Sequence, residues 1–174
     1  VVHKGKTIFV GDTSVHEYPT SEQMAEIAIS TARVVRLFGF EPKVAFVSHS
    51  TFGQPLTSRT KHIRKAVDIL KEQKVDFEFD GDMQPDVALD SEYKELYPFS
   101  NIVGKANILI MPGQHSAAIS YKMMKTLGDT KVIGPLLIGL GLPIEIAPLR
   151  SSTSELINLA SVAAYSADII DYKK

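Results

Sequence analysis

Three hydroxyls and an imidazole fall together at Ser48-His49-Ser50-Thr51, directly after the apolar run Lys43-Val44-Ala45-Phe46-Val47. If that run is a strand of a parallel sheet, the hydroxyls stand at its carboxyl end, where such sheets hold their ligands. They suit phosphate or carbonyl oxygens there, and they serve equally well to cap the following loop. Arg59, Lys61, Arg64 and Lys65 cluster at the start of an amphipathic stretch. Cations at a helix start can clamp a phosphate, but a solvated helix face explains them more simply. Asp80-Gly81-Asp82, with Asp86 and Asp90, brings carboxylates together without the spacing or terminal Glu of a calcium loop, which predicts a turn with solvated carboxylates. His3, His16, His49, His62 and His115 contain no i, i+4 pair, so no metal site is expected. Gly139-Leu140-Gly141 lacks a dinucleotide turn's third glycine, Ile144 standing there, and reads as a loop after a strand. Gly104-Lys105 lacks the upstream glycine of a phosphate loop, and no Gly-x-Ser-x-Gly elbow supports an esterase triad.

Elements that could position these residues alternate along the chain. Thr7 to Val10 reads as a strand closed by Gly11-Asp12. Thr20 and Gln23 form a capping box, and Met24, Ile27, Ala28, Thr31, Val34, Val35 and Phe38 follow at helical spacing up to a stop at Gly39. After the 43–48 strand, Ile63, Ala66, Val67 and Leu70 mark a second helix, Phe77 and Phe79 a strand, and 91–96 a short helix before Pro98. Residues 106–111 (ANILIM) form a buried strand ending at Pro112, and a helix spans about 116–127. Residues 132–138 and 143–146 are expected to be strands. Ser152 and Glu155 make a second capping box that opens a final helix through Leu156, Leu159, Val162 and Ala163. Uninterrupted apolar strands alternating with helices predict an α/β fold: a doubly wound, mostly parallel sheet with helices on both faces.

A chain of 174 residues, 44% hydrophobic and 22% charged, can bury a core of its own. A net charge of −1 argues against a large nucleic-acid footprint or a polybasic membrane surface. No apolar run approaches the ~20 residues a membrane helix requires. The lack of cysteine excludes disulfides and thiol catalysis and fits a reducing, cytoplasmic setting. The start, Val1-Val2-His3-Lys4, has neither a signal-peptide pattern nor an initiator Met, so the sequence is expected to begin inside a longer protein.

Several stretches, in order, resemble the phosphate acetyl/butyryl transferase family. Residues 19–29 (PTSEQMAEIAI) and 38–45 (FGFEPKVA) look like the opening of that family's second subdomain. Residues 48–53 (SHSTFG) are similar to its Ser-x-Ser-x-x-Gly loop, and 80–89 (DGDMQPDVAL) to its Asp-Gly-Glu-Leu-Gln-x-Asp-x-Ala-Leu segment. Residues 104–112 (GKANILIMP), Tyr121-Lys122 and 133–137 (IGPLL) match its later landmarks. The resemblance implies two subdomains of isocitrate/isopropylmalate dehydrogenase-like architecture, with acyl-CoA in the cleft between them. Residues 1–147 would be the second subdomain, and 148–174 the C-terminal helix of a first subdomain whose remainder lies elsewhere. Ligand contacts carried over, or placed at strand ends, are Ser48, Ser50, Thr51, Gln84, Asp86, Tyr121, Lys122 and Arg150.

The departures are as informative. Active members carry a Ser-Arg-Gly-Cys-Ser-x-Glu-Asp type motif before the last helix. Aligned on Ile157-Asn158, Pro148 takes the place of the catalytic serine, Leu149 of the arginine and Glu155 of the aspartate; a one-residue slip puts Arg150 on the arginine and Leu149 on the serine. The serine survives in neither register, so no catalytic residue is expected. Residues 113–118 (GQHSAA) also replace an Asp/Asn-rich turn. The pattern resembles the phosphotransacetylase-like tail of bacterial hybrid malic enzymes. That resemblance implies a regulatory domain that binds acetyl-CoA as effector beside a malic-enzyme domain using malate, NAD(P) and Mg²⁺ or Mn²⁺. An active phosphate acetyltransferase is the alternative, and a ligand-free dimerisation module a third reading. The family also implies a homodimer or higher homo-oligomer. In the 116–127 helix, Ala117, Ala118, Ile119, Tyr121, Met123, Met124 and Leu127 spread apolar surface wider than one core-facing stripe requires.

Overall fold

A computed structural model describes residues 1–12, 14–140 and 142–169. Gly141 of the expected 139–141 loop, and the last five residues of the expected 148–174 unit, lie outside them. The elements are β1 (Val2–His3), β2 (Lys6–Thr7), β3 (Phe9–Gly11), α1 (Ser21–Leu37), β4 (Lys43–Val47), α2 (Ser58–Gln73), β5 (Glu78–Met83), α3 (Pro85–Leu89), a 3₁₀ turn (Glu92–Leu96), β6 (Ile108–Ile110), α4 (Gln114–Leu127) and α5 (Thr153–Ile169).

Four strands form one parallel sheet in the order β3-β6-β4-β5. Its interior strands, β6 and β4, are the apolar runs Ile-Leu-Ile and Val-Ala-Phe-Val, and their alternation serves both faces. Val44, Phe46, Ile108 and Ile110 turn to α1 and α2, meeting Met24, Ala28, Val35, Ile63, Val67 and Leu70. Ala45, Val47 and Leu109 turn the other way, towards Met83, Ala88, Ile102 and Ala117. Helices therefore cover both faces. The helix after β4 lies on one face and the helix after β6, its neighbour, begins on the other. That reversal opens a crevice at the carboxyl ends of these two strands.

Local chemistry sets the helix starts. Thr20 Oγ1 accepts from the Gln23 N–H (3.1 Å) while the Gln23 side chain accepts from the Thr20 N–H (2.8 Å). Thr57 and Thr60 form an equivalent box ahead of α2, which the sequence reading overlooked because Thr stands where Glu or Gln is usual. Ser152 and Glu155 cap α5 as expected. Gly39 follows α1 with φ +81°.

Two expectations fail. Residues 132–138 and 143–146 make no strands, only one isolated bridge that pairs Leu136 with Glu145. Pro135 and Pro143 donate no backbone hydrogen bond, and these segments lie outside the sheet. The second correction is Asp80-Gly81-Asp82, which is buried inside β5 rather than in a solvated turn. A Cβ at Gly81 would stand 2.7 Å from Phe46 Cβ, so only glycine lets β5 close on β4 here.

Candidate functional site

The carboxyl end of β4 runs into a tight loop held from below by β5. Asp82, fully buried, accepts from the Ser50 hydroxyl and from the Gly53 N–H at 3.1 Å. Its backbone carbonyl accepts the Phe52 N–H at 2.6 Å. Ser48 N–H donates to the Met83 carbonyl (2.9 Å), and Thr51 Oγ1 accepts the Gln84 N–H (3.2 Å). A turn between Thr51 and Gln54 closes the loop through reciprocal backbone bonds of 3.3 and 3.1 Å. Phe52 packs against Tyr97 and Phe99, with ring centroids 5.4 and 4.8 Å away. A buried carboxylate surrounded by donors is costly to remove and so fixes the loop's shape.

Five of the eight expected contact residues therefore come together. Ser50 and Thr51 are buried and face inward, building the loop. Ser48 is half-buried, with its hydroxyl accepting the Ser50 N–H at 3.3 Å, and Gln84 and Asp86 are exposed at the start of α3. Asp86 Oδ1 accepts the neighbouring Val87 N–H at 3.0 Å. The rim thus offers a hydroxyl, an amide and a carboxylate, suited to orienting a polar ligand. The other three stand on α4 and in the turn before α5. Tyr121 and Lys122 are two turns into α4, with Lys122 Nζ 6.0 Å from the Tyr121 ring centroid. Arg150 is exposed in the turn before α5. Among the described residues, no hydrogen bond or ion pair joins these three to the loop. Sequence reasoning missed Asp82; the available signal was Phe77, Phe79, Gly81 and Met83 at strand spacing, which carries the chain straight through the Asp-Gly-Asp.

The basic cluster is partly spoken for. Arg64 donates to the Phe52 carbonyl at 3.2 Å, and Lys65 pairs with Glu22 at 2.7 Å. That bond is the main cause holding the Glu22 carboxyl at about 2, below its usual range. In the 148–152 turn, the Ser151 hydroxyl donates to the Pro148 carbonyl (2.8 Å) and the Ser152 hydroxyl to the Glu155 carboxylate (2.9 Å). Both hydroxyls that follow Pro148 are thereby engaged. A second concavity, of about 170 Å³, lies at the far end of the molecule between Leu37, Leu136, Leu140, Val162 and Tyr165. Burial raises the pKa of Glu145 on its wall.

These loops and their sheet are shared with known proteins. The family described as Phosphate acetyl/butaryl transferase matches residues 1–164. The chain belongs to that family. It is 48% identical over 164 residues to an NADP-dependent malic enzyme of Rhizobium meliloti (strain 1021), covering 94% of this chain and 22% of that protein. A phosphate acetyltransferase of Clostridium acetobutylicum is 35% identical over 162 residues, with 92% of this chain and 49% of that protein covered. The EutD phosphotransacetylase from Staphylococcus aureus superposes with a TM-score of 0.85 at 27% identity, over 95% of this chain and 52% of that one. The chain thus spans about a fifth of its malic-enzyme relatives and about half of the Clostridium transferase. Among the described residues, no helix is long and apolar enough to cross a membrane.

Proposed function

We propose that this domain binds acetyl-CoA as a regulatory effector of a malic enzyme and does not itself transfer acetyl groups. In this reading malate, NAD(P) and Mg²⁺ or Mn²⁺ act outside the chain. The observation that carries it is the 148–152 turn. Acetyl transfer between phosphate and CoA needs a hydroxyl and a cation beside the thiolate. Pro148 supplies neither a hydroxyl nor an N–H, and the nearby Ser151 and Ser152 hydroxyls are bound to the Pro148 carbonyl and the Glu155 carboxylate. The strand-end loop keeps its built form, which supports retained binding. The family resemblance supports a cleft closed by a second wall outside this chain.

Two measurements on the full-length protein test the reading. Incubation with acetyl phosphate and CoA should give no acetyl-CoA above background, and calorimetry should show acetyl-CoA binding. Robust turnover would replace this reading with the active transferase, and absence of binding would end both.

The same reading includes a homodimer through α4, whose Ile119, Met123 and Leu127 are 58%, 54% and 80% exposed. Methionines pack adaptably against a partner. About a two-fold axis one substitution counts twice. Met123→Asp would then place two unpaired charges in one interface, at a cost of several kcal/mol. Light scattering should find a wild-type dimer and a Met123→Asp monomer; a wild-type monomer at tens of micromolar rules the pairing out.

A further inference from the structure

We propose that Tyr18, Arg59 and His115 form a stacking platform for a purine base, the adenine of the acyl-CoA; only the identity of that ligand rests on the function proposed above. The three residues come from distant parts of the sequence. Arg59 Cζ lies 5.8 Å from the Tyr18 ring centroid, and the His115 ring stacks on Tyr18 at 6.3 Å and an interplanar angle of 20°. Guanidinium, phenol and imidazole are all flat, and an incoming base extends such a stack.

The cluster is held in place yet left open. The Gln114 N–H donates to the Glu17 carbonyl at 3.2 Å, and His62 Nε2 bonds to the Pro19 carbonyl at 2.9 Å. The backbone on either side of Tyr18 is thereby tied to α4 and to α2. Gly113 makes the first tie possible, because a Cβ there would stand 2.6 Å from the Glu17 oxygen. Even so, Tyr18 is 63% exposed and the His115 side chain 72%. Three flat groups that stack while burying so little add little to the core, and their open surface leaves room for a further planar group.

Position and charge point to a nucleotide. Tyr18 precedes α1, Arg59 is in the first turn of α2, and His115 is in the first turn of α4. All three therefore surround the carboxyl ends of the strands, the end at which the 48–53 loop lies. Arg59 is itself the cation at the stack and can also meet a phosphate. The Glu17 carboxylate lies 3.8 Å from His115 Nε2 at the edge of the stack.

The test is calorimetry on the full-length protein with three probes: acetyl-CoA, acetyl-pantetheine, which lacks the nucleotide, and adenosine bisphosphate, which lacks the thioester arm. Tyr18→Ala should weaken acetyl-CoA and adenosine bisphosphate about tenfold, the scale of one lost base stack, and leave acetyl-pantetheine unchanged. Tyr18→Phe should restore the loss, and His115→Ala should reproduce part of it. An unchanged thermal midpoint excludes misfolding, and Arg59→Gln provides a second variant should Tyr18→Ala unfold. Equal losses for all three probes, or none, would overturn the platform. If acetyl-CoA and acetyl-pantetheine fail to bind while adenosine bisphosphate binds and needs Tyr18, the platform stands and the acetyl-CoA reading falls. A wild-type protein that binds acetyl-CoA but ignores adenosine bisphosphate keeps that reading and overturns the platform.

Discussion

The two ends of this chain treat the same kinds of side chain differently. Up to β6, the large apolar residues of the sheet and of α1 and α2 close on one another: Met24, Val35, Val44, Phe46, Leu70, Ile108 and Ile110 are fully buried, while Leu56, Leu96, Phe99 and Val103 in the connections stay exposed. From α4 onwards they face outward. Leu127, Leu142, Ile146 and Ile157 are 80%, 65%, 57% and 60% exposed, Leu149 is fully exposed, and α5 buries only Leu159 among the described residues. Apolar content is similar in the two regions, so composition does not separate them. What separates them is that sheet and helices supply each other's cover in the first, whereas the second has surface of the kind that marks a contact with something else. The covers proposed are a second copy over α4 and the rest of the family domain over 142–157.

The sharpest way to break this comparison is to truncate one side chain from each region. Phe46→Ala opens a cavity between β4 and α1–α2 and should cost about 3–5 kcal/mol in denaturant unfolding of this chain. Leu149→Ala removes a side chain that touches little and should change stability by less than about 0.5 kcal/mol. Comparable losses at the two sites would mean that the C-terminal region closes a core of its own.

A smaller effect probes how the closed region builds its loop. Asp82→Ala leaves the Ser50 hydroxyl and the Gly53 N–H without their buried partner and should cost about 2–3 kcal/mol, the scale of a hydrogen bond to a charged group plus its desolvation. Amide exchange at Gly53 and Phe52 should speed up more than at Val44. Uniform acceleration across β4 would show that Asp82 supports the whole sheet rather than the loop.

The fold was legible where one physical rule dominated. The runs at 43–47 and 108–110 could be strands because nothing polar interrupts them, and Thr20 and Ser152 announced their helices through capping geometry. The loop at 48–51 was legible as a polar loop at a strand's carboxyl end because it follows such a strand. Asp82 was not, since its burial depends on Ser50 and Gly53, about 30 residues away, and a local reading sees only a carboxylate beside a glycine. The strands expected at 132–138 and 143–146 failed for a related reason. Apolar content signals the need for cover without saying whether sheet partners or another surface will provide it. Tyr121, Lys122 and Arg150 entered by resemblance alone, and the described residues bring no second wall against them.

The gentlest test concerns what holds the open region to itself. Among the described residues one ion pair links α4 to α5: Lys125 Nζ to Glu155 Oε1. The bond from Lys125 is the first cause holding the Glu155 carboxyl at about 2, below its ordinary 4.5, with help from the Ser152 N–H and hydroxyl. The sign follows from linkage. A carboxyl with a depressed folded pKa favours the folded form above 4.5, and that contribution fades as pH falls towards 2. The pair is exposed, so water and salt screen it, and it tethers the helices rather than driving them together. Following the Glu155 carboxyl carbon by NMR from neutral pH downward should place its midpoint near 2. In Lys125→Met the midpoint should climb towards the ordinary value and stop short of it, because Ser152 still donates. A wild-type midpoint no lower than that of Lys125→Met would mean that α4 and α5 are not joined in solution. The C-terminal region would then be open at its inner seam as well as on its outer face.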